Sequence, residues 1–294
     1  MPSLPRNLRT ALLVSFLAAP AAHASGDAVP VEAFDAEWAR RAEGASGGRA
    51  KAAVAERLVA LARSGVAAQP SSLAYRWRLM RALYFLGEHA TEGTDAKRGV
   101  FEQGKKLGEE TLDLVRREAG AAAGKDLSKA TPVELVPHVK GTDVAECFLW
   151  SGVNWGKWAL VFGKTAAARQ GAAAKIRDDA AAVIRLDPAL EEGGGYRVLG
   201  RLHHQTPSIP FITGWASRDE ALKNLRLAVE KGPRNFVNRL YLAEATWDYE
   251  KGRRVEARKA LETLVAEAPS AEYAVEDARS QEDARALLAE WAGK

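Results

Sequence analysis

The residues of this sequence whose types and spacing suggest chemistry lie in an aromatic segment and in a proline-containing loop further along the chain. The aromatic segment spans residues 141–161 and includes Trp150, Trp155 and Trp158, with Asn154 among them. Three tryptophans on about two turns of a helix cannot all point into one narrow interface, so at least one should line a second surface. Packing in a helical core explains most of the cluster. The alternative is a hydrophobic ligand pocket.

The loop, residues 205–215, contains two prolines, a glycine and several large apolar side chains, among them Phe211 and Trp215. Loops that carry large apolar residues either fold back onto the core or contact another molecule. In the functional interpretation, Phe211 and Trp215 share the pocket of the aromatic segment.

Two arginines, Arg197 and Arg201, are spaced to lie on one face of a predicted helix. If they faced a concave groove, they would bind a carboxylate ligand bidentately. In the alternative they are solvated and pair with Glu191 or Glu192. The sequence thus gives no catalytic residue and one tentative ligand-binding set, which comprises Trp150, Asn154, Trp155, Trp158, Arg197, Arg201, Phe211 and Trp215.

Neither a metal site nor a cofactor is predicted. His203 and His204 diverge by about 100° on a helix, and no carboxylate or cysteine sits at ligand spacing in the sequence; one histidine is expected to cap the helix C-terminus. The glycines at 193–195 follow no strand and precede no Lys-Ser/Thr, so they predict a flexible helix-to-helix turn. No nucleophile–base pair, paired-carboxylate motif or metal motif stands out. The protein is therefore not predicted to be an enzyme.

The elements that would position these residues are helices, and part of the chain repeats. A small residue, apolar residues at helical spacing and a proline after the helix recur at a fixed offset, as Ala221, Leu225 and Pro233 and again as Ala257, Leu261 and Pro269. This pattern is typical of the second helix of a tetratricopeptide (TPR) unit, because the alanine allows close approach and the proline ends the helix.

Composition agrees with a helical protein. The chain has 294 residues, 47% of them apolar, and Ala, Leu, Arg, Glu and Lys predominate. We predict an all-α fold in which TPR-like helical hairpins form an α-α superhelix. Residues 25–294 form its single domain, with an N-terminal helical portion at 31–125, degenerate TPR units at about 141–269 and a capping helix at 270–291.

Residues 1–24 have the pattern of a secretory signal peptide. Arg6 and Arg9 precede an apolar run at 11–19, and residues 22–24 give a small-x-small cleavage site. The predicted location is periplasmic or secreted, and the alternative is a segment retained as an anchor. Cleavage would lower the formal charge of +4 by two. Because acidic and basic residues are also interleaved, no nucleic-acid partner is predicted.

Two further features concern the exported form. No apolar run after the signal approaches the ~20 residues of a transmembrane helix, so none is predicted once the signal is cleaved. The sole cysteine, Cys147, rules out an intramolecular disulfide and is predicted to be a small apolar residue in a helical core. No cysteine lies near the cleavage site for lipidation.

Several motifs together resemble the TatT family, the periplasmic TPR proteins associated with TRAP (tripartite ATP-independent periplasmic) transporters. They are Gly-Gly-x-Tyr-Arg-x-Leu-Gly-Arg from Gly193, the Pro-Ser-Ile-Pro loop, Ala-Leu-x-x-Leu-x-x-Ala from Ala221, Leu-Ala-Glu-Ala from Leu242 and the tryptophan-rich stretch at 148–158. The resemblance covers roughly residues 70–290. It implies degenerate TPR-like hairpins, partnership with a substrate-binding protein, oligomers with a central passage and binding of apolar ligands. The missing lipidation cysteine departs from the family.

The sequence leads to two main hypotheses. The first is an exported adaptor that serves as an accessory component of a TRAP-type solute transport system. It would bind a periplasmic solute-binding protein and a small apolar or organic-acid ligand, and it would form homo-oligomers. The second is a general peptide- or protein-binding TPR scaffold of the cell envelope without a small ligand. An enzyme with dispersed catalytic residues is a third, less favoured reading.

Overall fold

The computed structural model describes residues 29–206 and 214–293. Within these residues the chain forms thirteen α-helices and no strand beyond an isolated bridge between Ser46 and Arg49. The predicted signal peptide and Phe211 lie outside the described residues. The helices are Val31–Ala39 (α1), Ala52–Ala68 (α2), Leu73–Phe85 (α3), Thr94–Ala123 (α4), Pro132–Leu135 (α5), Thr142–Phe162 (α6), Lys164–Arg169 (α7), Ala172–Leu186 (α8), Leu190–Gln205 (α9), Arg218–Lys231 (α10), Phe236–Tyr249 (α11), Arg254–Ala266 (α12) and Ala274–Trp291 (α13).

The helices pack as an array of hairpins. Helices that follow one another pack side by side, as α2 on α3, α8 on α9, α9 on α10 and α11 on α12. Second neighbours also touch, as α4 with α6, α6 with α8, α9 with α11 and α11 with α13. Contacts mainly between near neighbours are typical of stacked helical repeats. The predicted all-α fold of helical hairpins is confirmed.

The repeated positions have the role that their spacing predicts. Ala221 and Leu225 of α10 are fully buried, as are Leu261 and its neighbour Ala257 in α12. A Cβ on Gly200 of α9 would lie 2.7 Å from the Leu225 side chain, so α9 and α10 approach closely only because that position is glycine. The offset pattern therefore identified two equivalent helices correctly.

Three boundaries have a local cause. Residues 164–186 form two helices, because Gly171 adopts a left-handed φ of 65° between α7 and α8. Helix α3 ends at Phe85, and the chain continues as a π-helical turn over Leu86–Ala90. The connection before α6 contains the short helix α5, which begins with a capping box at Thr131.

The last helix packs against both ends of the array. Trp291 near its end stacks on Trp247 of α11, with ring centroids 4.2 Å apart. At its start, Val275 is fully buried in the same core cluster as Phe34 of α1. The array therefore closes on itself, and α13 does more than cap the C-terminal unit. No helix in the described part of the chain is long and apolar enough to cross a bilayer.

Candidate binding site

Charged and aromatic side chains from separate helices converge inside the closed array. We call this set the interior cluster, and its members are Arg81, Tyr84, Glu88, Glu146, Lys157, Glu191, Tyr241 and Tyr273. They come from α3 and its π-helical turn, α6, α9, α11 and the residue before α13. No single helix would present such a set, so the closed packing of the array creates it.

The interior cluster has two halves, each built around an ion pair, and Arg81 of α3 is the cation of the first. Its Nη2 lies 3.0 Å from Oε1 of Glu191, and both side chains are about 15% exposed or less. The guanidinium also lies over the rings of Trp38, 4.2 Å from the centroid, and Trp150, 5.3 Å away. Its Nε is buried without a hydrogen-bond partner among the described residues. Arg81 is therefore stacked and ion-paired, yet it retains one unused donor.

The partner of Arg81 sits on strained backbone. Glu191 and Glu192 have φ of 47° and 55°, in the left-handed region that disfavours residues with a Cβ. Helix α9 is kinked here. Asn238 of α11 holds the segment, because its Nδ2 donates to the Glu192 carbonyl at 2.9 Å. Such strain persists only where surrounding contacts impose it, and it commonly marks a functional position.

The kink also corrects the interpretation of the three glycines at 193–195. They are buried in the first turns of α9 rather than in a flexible turn. Gly193 has φ of 81°, and a Cβ on Gly194 would lie 3.0 Å from Leu149. The glycines serve close packing of α9 against its neighbours.

Glu146 of α6 shares the Arg81 half of the cluster. Burial raises the pKa of Glu146 to about 7, and the negative charge of Glu191 adds to this, while Arg81 opposes it. The indole N–H of Trp150 donates to the Glu146 carboxyl at 3.0 Å. A carboxyl that titrates near neutrality next to an ion pair can accept or donate a hydrogen bond to a ligand as the pH changes.

Lys157 and Glu88 form the second half. Their ion pair is 2.8 Å long, and the side chains keep 20% and 17% of their surface exposed. Burial would lower the pKa of Lys157, but the Glu88 carboxylate more than offsets it and holds that pKa above its usual value. Two tyrosines border this ion pair.

Those tyrosines are Tyr84 of α3 and Tyr241 of α11. Tyr84 packs on Trp150, with centroids 5.5 Å apart, and Lys157 Nζ lies 5.7 Å from its ring. Burial raises the pKa of Tyr84 well above its usual range, and Tyr241 is close enough to contribute. Neither hydroxyl donates a hydrogen bond to any described residue. Both are therefore available to a ligand in the interior.

Arg201, predicted as a ligand residue, borders the interior through Tyr241, whose ring centroid is 4.2 Å from its guanidinium. Its Nη1 is 2.7 Å from Oε2 of Glu244 and 3.1 Å from Nδ1 of His204. The other ring nitrogen of His204 lies 2.9 Å from Asp248. The sequence near His204 has no carboxylate at ligand spacing. The fold instead brings Glu244 and Asp248 of α11 next to it.

His204, Glu244 and Asp248 have ligand atoms close enough together for a metal ion. However, both ring nitrogens of His204 already have partners, and the Arg201 guanidinium lies between its ring and Glu244. A cation would have to displace Arg201. The arrangement is therefore a satisfied hydrogen-bond network that joins α9 to α11.

Arg197 does not join Arg201 in a carboxylate clamp. Its Nη1 donates to Asn238 Oδ1 at 2.9 Å and to the Glu191 carbonyl at 3.2 Å. Arg197 therefore supports the strained segment of α9. It is not free to bind a carboxylate ligand, as the first alternative required. It also does not form the predicted side-chain pair with Glu191, because it contacts the Glu191 backbone.

The aromatic segment is divided between two cores. Trp155 and Trp158 are almost fully buried with Phe101 and Ile176, on the side of α6 that faces α4 and α8. Trp150 lies in a different cluster, with α3 residues such as Met80. Trp150 thus faces a different surface from Trp155 and Trp158, and of the three only Trp150 borders the interior cluster.

The other predicted residues of that pocket lie elsewhere. Asn154 is fully buried, and its Nδ2 donates to the carbonyls of Met80 at 3.0 Å and Trp150 at 2.8 Å. Trp215 packs edge-on against His203, with centroids 5.1 Å apart, and under Arg177. Trp215 is in none of the tryptophan core clusters, so the described residues do not form the shared pocket.

The sequence interpretation missed Arg81, Glu146 and Tyr84. A usable signal was present for Arg81, since α3 has buried apolar residues all round it and a charged residue there must be paired or stacked. The sequence gave no such signal for Glu146. Its pKa is raised by burial and by the charge of Glu191, which lies on α9, far away in the sequence.

Comparison with known proteins adds no family assignment. No family model matches the chain, and no curated protein shows significant similarity to it. The fold and the interior cluster define the chain as an all-α helical-hairpin protein with a charged, aromatic interior.

Proposed function

We propose that this protein is a non-catalytic exported adaptor that serves as an accessory component of a TRAP-type solute transport system. It binds a periplasmic solute-binding protein and holds a small polar molecule in the interior cluster. One observation carries the proposal above all: four or more separate elements supply the interior with ion pairs and unbonded tyrosine hydroxyls. The export and transporter parts rest on the signal-like N-terminus and the family resemblance.

The closure of the array favours a small molecule over a peptide. A peptide-binding scaffold needs an open concave groove that takes an extended or helical segment. Here Arg41 and Glu276 join the two ends of the array, 2.7 Å apart, and Arg81 and Glu191 cross its interior. These contacts close the array and so disfavour an open groove of that kind. The general peptide-binding scaffold is accordingly the second candidate.

The character of the cluster favours binding over catalysis. The strong cations Arg81 and Lys157 are each neutralised by a carboxylate. The one cysteine, Cys147, is 1% exposed, and burial raises its pKa well above the usual value, so its thiol is a poor nucleophile. Ordered, paired charges on rigid helices position a ligand without supplying a reactive group.

The experiment is complex formation between residues 25–294 and the solute-binding protein of a TRAP system from the same organism, followed by light scattering after size-exclusion chromatography. The expected result is a complex of defined stoichiometry. Binding to unstructured peptide libraries without such a complex would overturn the transport role in favour of the scaffold. The variant Arg81→Ala removes the ion pair with Glu191 in the interior. Its complex formation shows whether the solute-binding protein requires an intact interior for binding.

A further inference from the structure

A cavity lies where the ends of the array meet. It has a volume of about 260 Å³ and opens between residues 46–49, the π-helical turn Leu86–Ala90 and α13. This volume exceeds that of a single water many times over, so it can hold a small organic or inorganic ion. The cavity contains none of the predicted ligand residues. It shares only Glu88 with the interior cluster.

His89 lines the cavity, and its imidazole has an unsatisfied nitrogen. His89 is 4% exposed, and its Nδ1 lies 3.3 Å from the carbonyl of Gly48. A carbonyl only accepts, so Nδ1 carries the proton and Nε2 of the neutral ring is an acceptor. Nε2 is buried and has no partner among the described residues. An unused buried acceptor is unfavourable, which points to a hydrogen-bond donor that completes it.

The acidic residues of the wall are already engaged. Glu88 forms its ion pair with Lys157, and Oε1 of Glu282 accepts the backbone N–H of Gly48 at 2.9 Å. Glu88 is thus neutralised by a salt bridge, and Glu282 has a backbone partner and the Arg279 charge near it.

The basic residues of the wall retain free donors. Lys97 is half-buried and forms no ion pair within the described part of the chain. Arg279 pairs with Asp283 at 3.2 Å but stays 42% exposed, and Arg49, which pairs with Glu92, stays 58% exposed. Each guanidinium has five N–H groups, so a single carboxylate leaves several unused.

We propose that this cavity binds a small anion that also carries a hydroxyl group, such as a hydroxycarboxylate or hydrogen phosphate. The hydroxyl donates to Nε2 of His89. The anionic oxygens accept from Lys97, with Arg49 and Arg279 at the rim. A neutral imidazole alone would not favour an anion, and the lysine alone would not select for a hydroxyl, so the two residues together define the ligand.

The position of the cavity gives binding a structural consequence. Arg279 belongs to α13, whereas Lys97 and His89 belong to the N-terminal half, so the ligand bridges the ends of the array. A ligand that binds only the closed form stabilises it by mass action. The melting temperature should therefore rise with ligand concentration.

The test is isothermal titration calorimetry on residues 25–294 with L-lactate, propionate and inorganic phosphate. Lactate and propionate are matched, because they differ only by the hydroxyl. The expected result is binding of lactate or phosphate, with propionate weaker by roughly tenfold or more. No heat from any of the three at about 10 mM, or equal affinity for lactate and propionate, would overturn the proposal.

Two variants assign the binding to the cavity. Lys97→Gln should weaken lactate or phosphate by roughly tenfold or more, since a charge-assisted hydrogen bond is lost. Lys106→Gln, on an exposed position of the same helix, is the matched control and should bind as the parent does. His89→Phe should abolish the preference for lactate over propionate; if it does not fold, the Lys97 comparison still decides. Unchanged binding in Lys97→Gln would place the ligand elsewhere.

Binding of the anion does not require the adaptor role, because it is measured on the isolated protein. Loss of the complex with a solute-binding protein would leave this result intact, and absence of anion binding would leave complex formation to be judged separately.

Discussion

Nε of Arg41 donates to Oε1 of Glu276 at 2.7 Å, although the two residues are 235 positions apart in the sequence. The arginine side chain is 4% exposed and the glutamate 16%. The guanidinium also lies over the rings of Trp38 and Tyr273, 4.7 and 5.6 Å from their centroids. This pair joins the two ends of the helical array and makes its interior a closed space.

Removal of Arg41 should destabilise the protein strongly. Arg41→Ala leaves Glu276 buried without a counter-ion, and its Oε2 already has no hydrogen-bond partner among the described residues. We expect a loss of about 3 kcal/mol or more in the free energy of unfolding, measured by urea titration. Limited proteolysis should then cut first in the N-terminal segment around residue 41, because this segment has lost its ion pair with α13.

The neighbouring arginine gives a matched control. Arg40 is 65% exposed and pairs with Glu37. Arg40→Ala should change the free energy of unfolding by no more than about 1 kcal/mol. Equal effects of the two variants would show that the ends are not joined as described.

A buried carboxyl on α8 should make stability depend on pH. Burial raises the pKa of Asp179 to about 8, from a usual value of 3.8, although Ser151 donates a hydrogen bond to it. The folded protein therefore keeps this proton up to about pH 8, whereas the unfolded chain loses it near pH 4. Stability must fall as pH rises between these values, by about 1.4 kcal/mol for each tenfold difference in proton affinity.

Asp179→Asn tests this directly, because the amide keeps the shape without titrating. Relative to the parent, the variant should gain stability as the pH rises from about 4 to about 8 in urea titrations. Asp95→Asn, whose residue pairs with Arg98 at an exposed position away from Asp179, is the control and should not change the slope. A parallel pH profile for Asp179→Asn and the parent would contradict the assignment.

Two glycine substitutions separate close packing from helix propensity. Gly193 has φ of 81°, and an added Cβ would lie 2.9 Å from the Cβ of Lys231, so Gly193→Ala should lose about 2 kcal/mol or more. Gly156 of α6 has open space around it, and Gly156→Ala should gain about 0.5–1 kcal/mol. Thermal unfolding of both variants measures these changes in stability. Unchanged stability in Gly193→Ala would contradict the strained backbone at the start of α9.

Local patterns were sufficient for the elements but not for the interior. Ala221 and Leu225 repeat at helical spacing because each contacts the adjacent helix, and such short-range packing leaves a periodic trace in the sequence. The same reasoning explains the separate surfaces of Trp150 and Trp158. The order of the hairpins can also be predicted from the sequence, since consecutive helices with short connections pack together.

The interior follows from distant contacts that leave no periodic trace. Arg81 and Glu191 meet only because α3 and α9 lie in the same closed array. The positive φ of Glu191 and Glu192 was equally hidden, because nothing in a glutamate pair marks left-handed backbone. Asn238, which imposes that conformation, lies on the next hairpin.

The single thiol should be unreactive in the folded protein. Cys147 is 1% exposed, and its Sγ lies 3.6 Å from the Leu73 carbonyl. Because the thiolate is the reactive form and burial raises the pKa of Cys147, modification by an aromatic disulfide reagent should occur only after unfolding. Rapid labelling under native conditions would show that α6 does not pack as described; labelling of a denatured sample is the control.

The most direct test of the interior as a ligand site is native mass spectrometry of residues 25–294, purified without denaturation. The account predicts a bound small molecule whose mass is released on unfolding and whose occupancy falls in the double variant Tyr84→Phe/Tyr241→Phe. Tyr75→Phe, which removes a hydroxyl that donates to the Val29 carbonyl outside the cluster, should retain it. A homogeneous ligand-free protein, with the parent and both variants alike, would contradict the account.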